Sequence, residues 1–301
     1  ATFIERRDLT WPQAWKPSAG FDSLELVRPK SSQELSALWL AAAARGGRIP
    51  VTVQGDVPSE PYLGLTEQVL AEFGATLEPI PGGGRFDRMV EGPLVAPDHE
   101  LQIEADASAA AVALAAGCLS GGGVAVEGVD GTSRQGDVRV VEHLRAFGCD
   151  AKAGHRALWA TGFPTRAAEL DLSGEPDLAP VLAAVAGALA LIDASSGHSV
   201  LTGLHTLPGK ESSRIEVLAA GLRALGIHVE ATDRSLAIGP GTPHAGPVTL
   251  DPHADHRMAF AFALLGLVRP GIRIADPGCV SKSWPSFFED LRRAQASRPG
   301  R

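Results

Sequence analysis

The chain has 301 residues, 45% of them hydrophobic and 21% charged, with a formal net charge of -8. That length is too great for one small core and points to two domains, while the acidic balance excludes a sequence-independent nucleic-acid binder, which needs a basic face to displace counterions. No run reaches the roughly 18 uninterrupted apolar residues of a membrane span, and the N-terminus shows no signal-peptide pattern, so a cytoplasmic protein without a membrane partner is expected.

In chain order, the stretch ATFIERRDLTWPQAWKPSAG leads to a first predicted helix, SSQELSALWLAAAARGG, apolar on most faces and opened by Ser31, Ser32 and Gln33. A short alternating strand, VTVQG, ends at Gly55. GLTEQVLAEFGATLE then supplies an amphipathic helix, a glycine placed as a C-cap and an extended segment. The segment EGPLVAPDHELQIEAD, rich in proline and charge, marks a boundary near residues 96–104. Beyond it the pattern recurs. ASAAAVALAAGCLSGG, VAVEG at Gly128 and DVRVVEHLRAFGCDAK make a second round. LAPVLAAVAGALALIDASSG, SVLTG at Gly203 and RIEVLAAGLRALGIHVE make a third, and HRMAFAFALLGLVRPG, IRIADPG around Asp276 and PSFFEDLRRAQ a fourth.

The strand ends repeat at a spacing of about 73 to 75 residues. Helices that are apolar on most faces suit the centre of a domain covered by sheets. The expected organisation is residues 1–103, holding one round and a leading fragment, followed by residues 104–301, holding three. Cys118, Cys149 and Cys279 are odd in number and lack CxxC spacing, so neither a disulfide framework nor a zinc site is expected. No glycine-rich nucleotide loop precedes a helix, and no metal or organic cofactor is implied.

Polar residues gather at the helix starts. Asp177 in GEPDLAP is placed at the N-cap of the third apolar helix, Asp255, His256 and Arg257 open the fourth, and Lys282 precedes the last amphipathic helix. Lys210, Glu211 and Arg214 crowd the start of RIEVLAAGLRALG. Cations there oppose the positive end of the helix dipole unless an anion joins them. Capping alone accounts for Ser31, Asp177 and Asp255 taken singly. Together, two arginines and two lysines beside Asp and Glu suit a small polyanion that must also gain or lose a proton.

The motifs KESSR, DHRMA and KSWPSFF, in this order on this repeat, resemble the C-terminal part of the 5-enolpyruvylshikimate 3-phosphate synthase family. SSQ and VPSEPYLGLTEQVLAEFG resemble its preceding region, and the likeness runs from about residue 20 to the end. The resemblance implies an α/β (α+β) fold of repeated βαβαββ units, forming an inside-out, barrel-like domain with buried helices and outer sheets, plus a truncated second domain. It implies transfer of the enolpyruvyl group of phosphoenolpyruvate to the 5-hydroxyl of shikimate 3-phosphate, with release of phosphate. By the same resemblance Arg214, Arg257 and Lys282 hold phosphoenolpyruvate. Ser31, Ser32, Gln33, Ser59, Tyr62, Asp177 and Lys210 surround shikimate 3-phosphate. Asp177 is the base for the hydroxyl, and Glu211 with Lys282 handles protons at the methylene.

The family carries six such units, an N-terminal Gly-Ser-Lys-Ser segment and an Asn-Ser-Gly-Thr loop that have no counterpart in this sequence. Ser213, Pro208, Thr206 and Glu60 also depart from the family's usual Asp, Arg, Asn and Lys. Three readings stay open on these grounds: a transferase whose site forms with a further N-terminal segment or a complementing chain, a binding paralogue without turnover, and a transferase with another hydroxyl acceptor.

Overall fold

A strand, a buried helix and a second strand parallel to the first open the fold and recur along it. The protein is described at residues 20–296 of a computed structural model, so most of the expected leading fragment lies outside the described residues. Two compact units divide between Gln102 and Ile103.

In the first unit, β1 (Leu24–Val27), α1 (Ser32–Arg45) and β2 (Gly47–Gln54) are followed by α2 (Pro61–Glu72), β3 (Thr76–Pro79) and β4 (Arg88–Gly92). β1 and β2 run parallel, with Leu24 opposite Val51, and the sheet order is β1-β2-β4-β3. α1 starts where the Ser31 hydroxyl accepts the Gln33 N–H at 3.1 Å, satisfying one of the free donors of the first turn. Its apolar face, Leu35, Trp39, Ala42 and Ala43, packs with Val51, Leu70 and Val90 into a core of its own.

The second unit opens with α3 (Ala107–Leu119), β5 (Gly123–Glu127), a 3-10 turn at Gly136–Arg139 running into α4 (Val140–Ala146), and the hairpin β6 (Asp150–Gly154) and β7 (Ala157–Thr161). Next come β8 (Glu169–Asp171), a 3-10 turn at Pro176–Leu178, α5 (Ala179–Ile192), β9 (Ser199–Thr202), α6 (Arg214–Ala224), β10 (His228–Ala231) and β11 (Leu236–Gly239). The chain continues through β12 (Val248–Leu250), α7 (His256–Gly266), β13 (Ile272–Ile274), a 3-10 turn at Pro277–Lys282 and α8 (Phe287–Ala296). The order β8-β9-β11-β10 reproduces that of the first unit.

The rounds differ in their strands. Ahead of α3 the only ladder-like contact in that place is the Ala105 N–H donating to Gly128 O at 2.9 Å, and no hairpin follows α8 among the described residues. The three expected rounds are therefore one full βαβαββ repeat flanked by two shorter ones.

Helices lie inside and sheets outside. Twelve of the fourteen residues of α5 are buried, and α3, α5 and α7 pack on one another. These helices are built largely of Ala, Leu, Val and Phe on every face, so each can be covered all round without burying a charge. α6 approaches α7 closely at Gly221, where a Cβ would stand 2.6 Å from Phe262 Cε1. Gly226, at φ +86°, turns the chain out of α6 in a conformation that side chains with a Cβ resist. Cys118 and Cys149 are buried and Cys279 half-buried, all as free thiols.

One topological fact positions everything that follows. β8 and β9 are parallel, as are β12 and β13, so within each pair both strands end at the same edge. The helix or turn after each strand begins at that edge, and the polar residues that open α5, α6 and α7 are brought to it.

Candidate active site

Arg214 is the first residue of α6 and only 1% of its side chain is exposed. Its Nη1 donates to Asp177 Oδ1 at 2.8 Å, its Nε to Asp255 Oδ2 at 2.8 Å, and its Nη2 to Glu211 Oε2 at 2.6 Å. A guanidinium presents donors in a fixed planar fork, which lets one cation hold three carboxylates where an ammonium could not. One sequence expectation is corrected here. Lys210 and Glu211 lie in the bend before α6 and not in its first turn. The protein's own carboxylates, Asp177, Asp255 and Glu211, surround Arg214.

Asp177 receives more than Arg214. Lys210 Nζ lies 3.4 Å from Oδ1, Arg257 Nη2 lies 3.4 Å from Oδ2, and Arg257 Nη1 donates to the Asp177 carbonyl at 3.2 Å. Burial works to raise its pKa, but the charges of Arg257, Lys210 and Arg214 outweigh burial and hold the carboxyl below the usual range. Its expected place as a side-chain N-cap is also corrected. Asp177 sits in the 3-10 turn ahead of α5, Leu178 occupies the cap position, and no side chain caps the helix. The Asp177 carboxylate is turned over to three cations instead.

Asp255 does cap its helix, accepting the Arg257 N–H at 2.9 Å while binding Arg214 and the Ser212 hydroxyl. Its neighbour His256 is buried, and its Nδ1, 4.0 Å from Asp255 Oδ1, has no hydrogen-bond partner in the structure. Burial, then the Arg257 charge, push the His256 pKa down and favour the neutral ring. Lys282, 61% exposed, reaches Glu211 Oε1 at 2.7 Å. Burial opposes ionisation of Glu211, yet the Lys282 hydrogen bond, a backbone N–H and the charges of Arg214 and Lys282 bring its pKa down to about 2. The network borders a cavity of about 40 Å³ lined by Asp106, Ser108, Asp177, His256 and Arg257 on its polar side and Val181, Phe260 and Trp284 on the other.

Of the expected residues, Asp177, Lys210, Glu211, Arg214, Arg257 and Lys282 thus form one continuous network in the second unit. The remaining five lie in the first unit. Ser31 and Ser32 start α1 with Gln33 exposed beside them, and Ser59 and Tyr62 lie at the start of α2. Ser59 adopts φ +57°, a left-handed conformation uncommon for a residue with a side chain, and its carbonyl accepts the Tyr62 N–H at 3.3 Å. Glu60 is tied to Arg85 at 2.5 Å.

Sequence reasoning missed Ser108, Asp137 and Glu175, buried or half-buried polar residues that border the network. They lie in DASAAAVAL, QGDVRVV and SGEPDLAP, each with a charged residue one or two positions away, so no spacing singles them out. Among the described residues no helix is long and apolar enough to cross a membrane, and no group of three or more His, Cys, Asp or Glu side chains is placed to hold a metal ion.

Comparison with known proteins gives a consistent picture. A family model described as EPSP synthase (3-phosphoshikimate 1-carboxyvinyltransferase) matches residues 16–291. The 3-phosphoshikimate 1-carboxyvinyltransferase of Methanoculleus marisnigri is 39% identical over 87% of this chain and 60% of its own length. That of Nitrosomonas europaea is 37% identical over 90% and 64%. The chain therefore spans about three fifths of the length of these curated relatives. Among solved structures, the EPSP synthase from Acinetobacter baumannii superposes with a TM-score of 0.69 at 26% identity, covering 91% of this chain and 62% of that one. The enolpyruvyl transferase NikO from Streptomyces tendae, at 19% identity and a TM-score of 0.62 over 84% and 56%, shares the fold.

Proposed function

The chain belongs to the EPSP synthase (3-phosphoshikimate 1-carboxyvinyltransferase) family, and on that premise we propose that it carries the acid–base machinery for enolpyruvyl transfer from phosphoenolpyruvate to the 5-hydroxyl of shikimate 3-phosphate. The observation that carries this reading is Asp177, a carboxylate kept ionised by Lys210, Arg214 and Arg257 and joined through Arg214 to the Glu211–Lys282 pair.

Lys282 supplies the proton that the enolpyruvyl methylene takes up, leaving a cationic carbon. Asp177 takes the proton of the attacking hydroxyl as the new C–O bond forms. Glu211, with a pKa near 2, is a base at neutral pH and not an acid, so it receives the methyl proton as the carbon–carbon double bond returns and phosphate departs. Arg257, 20% exposed, and Lys282 hold the anionic groups of phosphoenolpyruvate, with Arg214 buried behind them as the part that fixes the three acids. Ser31, Ser32, Gln33, Ser59 and Tyr62, with Lys210, surround the acceptor. Further substrate contacts come from an additional N-terminal segment or a complementing chain, in keeping with the greater length of the relatives, and the reaction takes place in the cytoplasm.

The test is phosphate release by the purified chain given phosphoenolpyruvate and shikimate 3-phosphate together and each alone. Release that requires both and falls in Arg257→Ala is the expected result. Silence from folded protein, with and without the complementing segment of a relative, overturns the reading. A different hydroxyl acceptor is favoured by one feature, the Thr206 hydroxyl, which is buried without a partner in the structure, and the same assay with other hydroxylated acceptors decides it.

A further inference from the structure

The network that holds Asp177 and Arg257 is itself anchored twice, and both anchors start from one segment. The first anchor begins at Asp137, in the 3-10 turn before α4. Asp137 is buried and accepts a hydrogen bond from the Ser108 hydroxyl, and Arg257 Nη2 donates to that same hydroxyl oxygen at 3.2 Å. The second anchor begins two residues later. Arg139 Nη1 lies 2.9 Å from both carboxylate oxygens of Glu175, and His143 Nε2 lies 2.8 Å from Glu175 Oε1. Glu175 is fully buried, and its carbonyl accepts the Leu178 N–H at 3.0 Å, closing the turn that carries Asp177.

A buried carboxylate survives only where donors satisfy it. Glu175 has two such partners from a different repeat, Arg139 and His143, so the turn bearing Asp177 is tied to that repeat as well as to its cations. None of Asp137, Arg139, His143 or Glu175 takes part in the chemistry proposed above.

We propose that the Asp137–His143 segment is the positioning frame of this site, fixing Arg257 through Ser108 and fixing Asp177 through Glu175. The frame acts on where the two groups stand and not on the reaction itself. The link between the frame and catalysis rests on the functional reading above, whereas the link between the frame and Asp177 does not.

The experiment is a carbon-13 NMR titration of the Asp177 carboxyl in the 301-residue chain labelled at aspartate carboxyl carbons, with Asp177→Asn assigning the signal. Arg214, Lys210 and Arg257 face this carboxylate, and any displacement of the turn or of Arg257 weakens their hold. Glu175→Gln, which removes the charge that Arg139 and His143 meet, is expected to raise the Asp177 midpoint by about half a pH unit or more. Ser108→Ala, which deletes one half-buried hydroxyl and with it the hydrogen bond that Arg257 Nη2 donates there, is expected to raise it similarly. Should Glu175→Gln not fold, Ser108→Ala decides alone. An unmoved midpoint in either folded variant overturns the proposal. Since this readout needs no turnover, a chain that releases no phosphate still tests the frame. If the chain does turn over, both variants lower kcat several-fold.

Discussion

Arg214 Nε and Asp255 Oδ2 meet at 2.8 Å with side chains 1% and 0% exposed, a charge pair with almost no access to water. Removing one member of such a pair leaves the other buried and uncompensated. Arg214→Ala is therefore expected to cost about 3–5 kcal/mol of folding stability, read as a lower urea midpoint. A loss of a few tenths would show that Asp255 finds another partner.

Lys282 makes the opposite prediction, although it lies in the same network. Its ammonium is mostly exposed, and exposed ion pairs contribute about 0–1 kcal/mol. Lys282→Ala should barely move the thermal midpoint while sharply weakening phosphoenolpyruvate turnover. A variant that unfolds and one that merely stops working are thus separated by burial alone.

Asp177→Asn keeps the shape of the side chain and removes the base. If the proposed chemistry holds, kcat should fall by about 10²–10⁴-fold, the range typical of a lost general base. The Michaelis constant for phosphoenolpyruvate should change far less. A variant with full kcat would transfer the proton-accepting role to another group.

The acid limb of stability follows from Glu211. Its folded pKa, about 2, lies below its ordinary value of 4.5. A depressed carboxyl adds stability that is present above the ordinary value and lost as pH falls through the folded one. Between about pH 4.5 and about pH 2, Glu211→Gln should lose stability less steeply than the parent chain when thermal midpoints are compared. Asp177, also lowered, should keep part of the slope. Superimposable acid limbs would show that the Lys282 contact does not persist in solution.

Gly221 tests the helix packing itself. A methyl group there meets Phe262 at 2.6 Å, well inside contact distance. Forcing α6 and α7 apart should cost about 1–3 kcal/mol in Gly221→Ala, against the gain that alanine usually brings to a helix interior. A stabilised variant would mean the two helices yield more easily than this close approach implies.

Much of this was legible in the chain. The apolar segments announced the inner helices because α5, with Ala, Val and Leu on every face, has no polar side to turn outward. Asp255 announced a cap because capping is a local act between residues two positions apart. What stayed hidden was non-local. Asp177 reads as a cap in GEPDLAP, yet its side chain serves Arg214, 37 positions away. His143 and Glu175, 32 positions apart and in different repeats, share no spacing that a periodicity search can register. The same holds for Arg214: the sequence shows three charges near a helix start but not that Asp177 and Asp255 close around the last of them.

The parallel first pair found in three of the four rounds also bears on how such a site could arise. A copied strand-helix-strand element arrives with its helix starts already at the shared edge and their unpaired N–H groups already attractive to anions. Chemistry can then be acquired by point changes at those openings, while the apolar helices behind them go on folding as before. The openings of this chain, SSQ, PDL, KESSR and DHR, read as divergent outcomes of one inherited geometry, in which the place for a reaction precedes the residues that perform it.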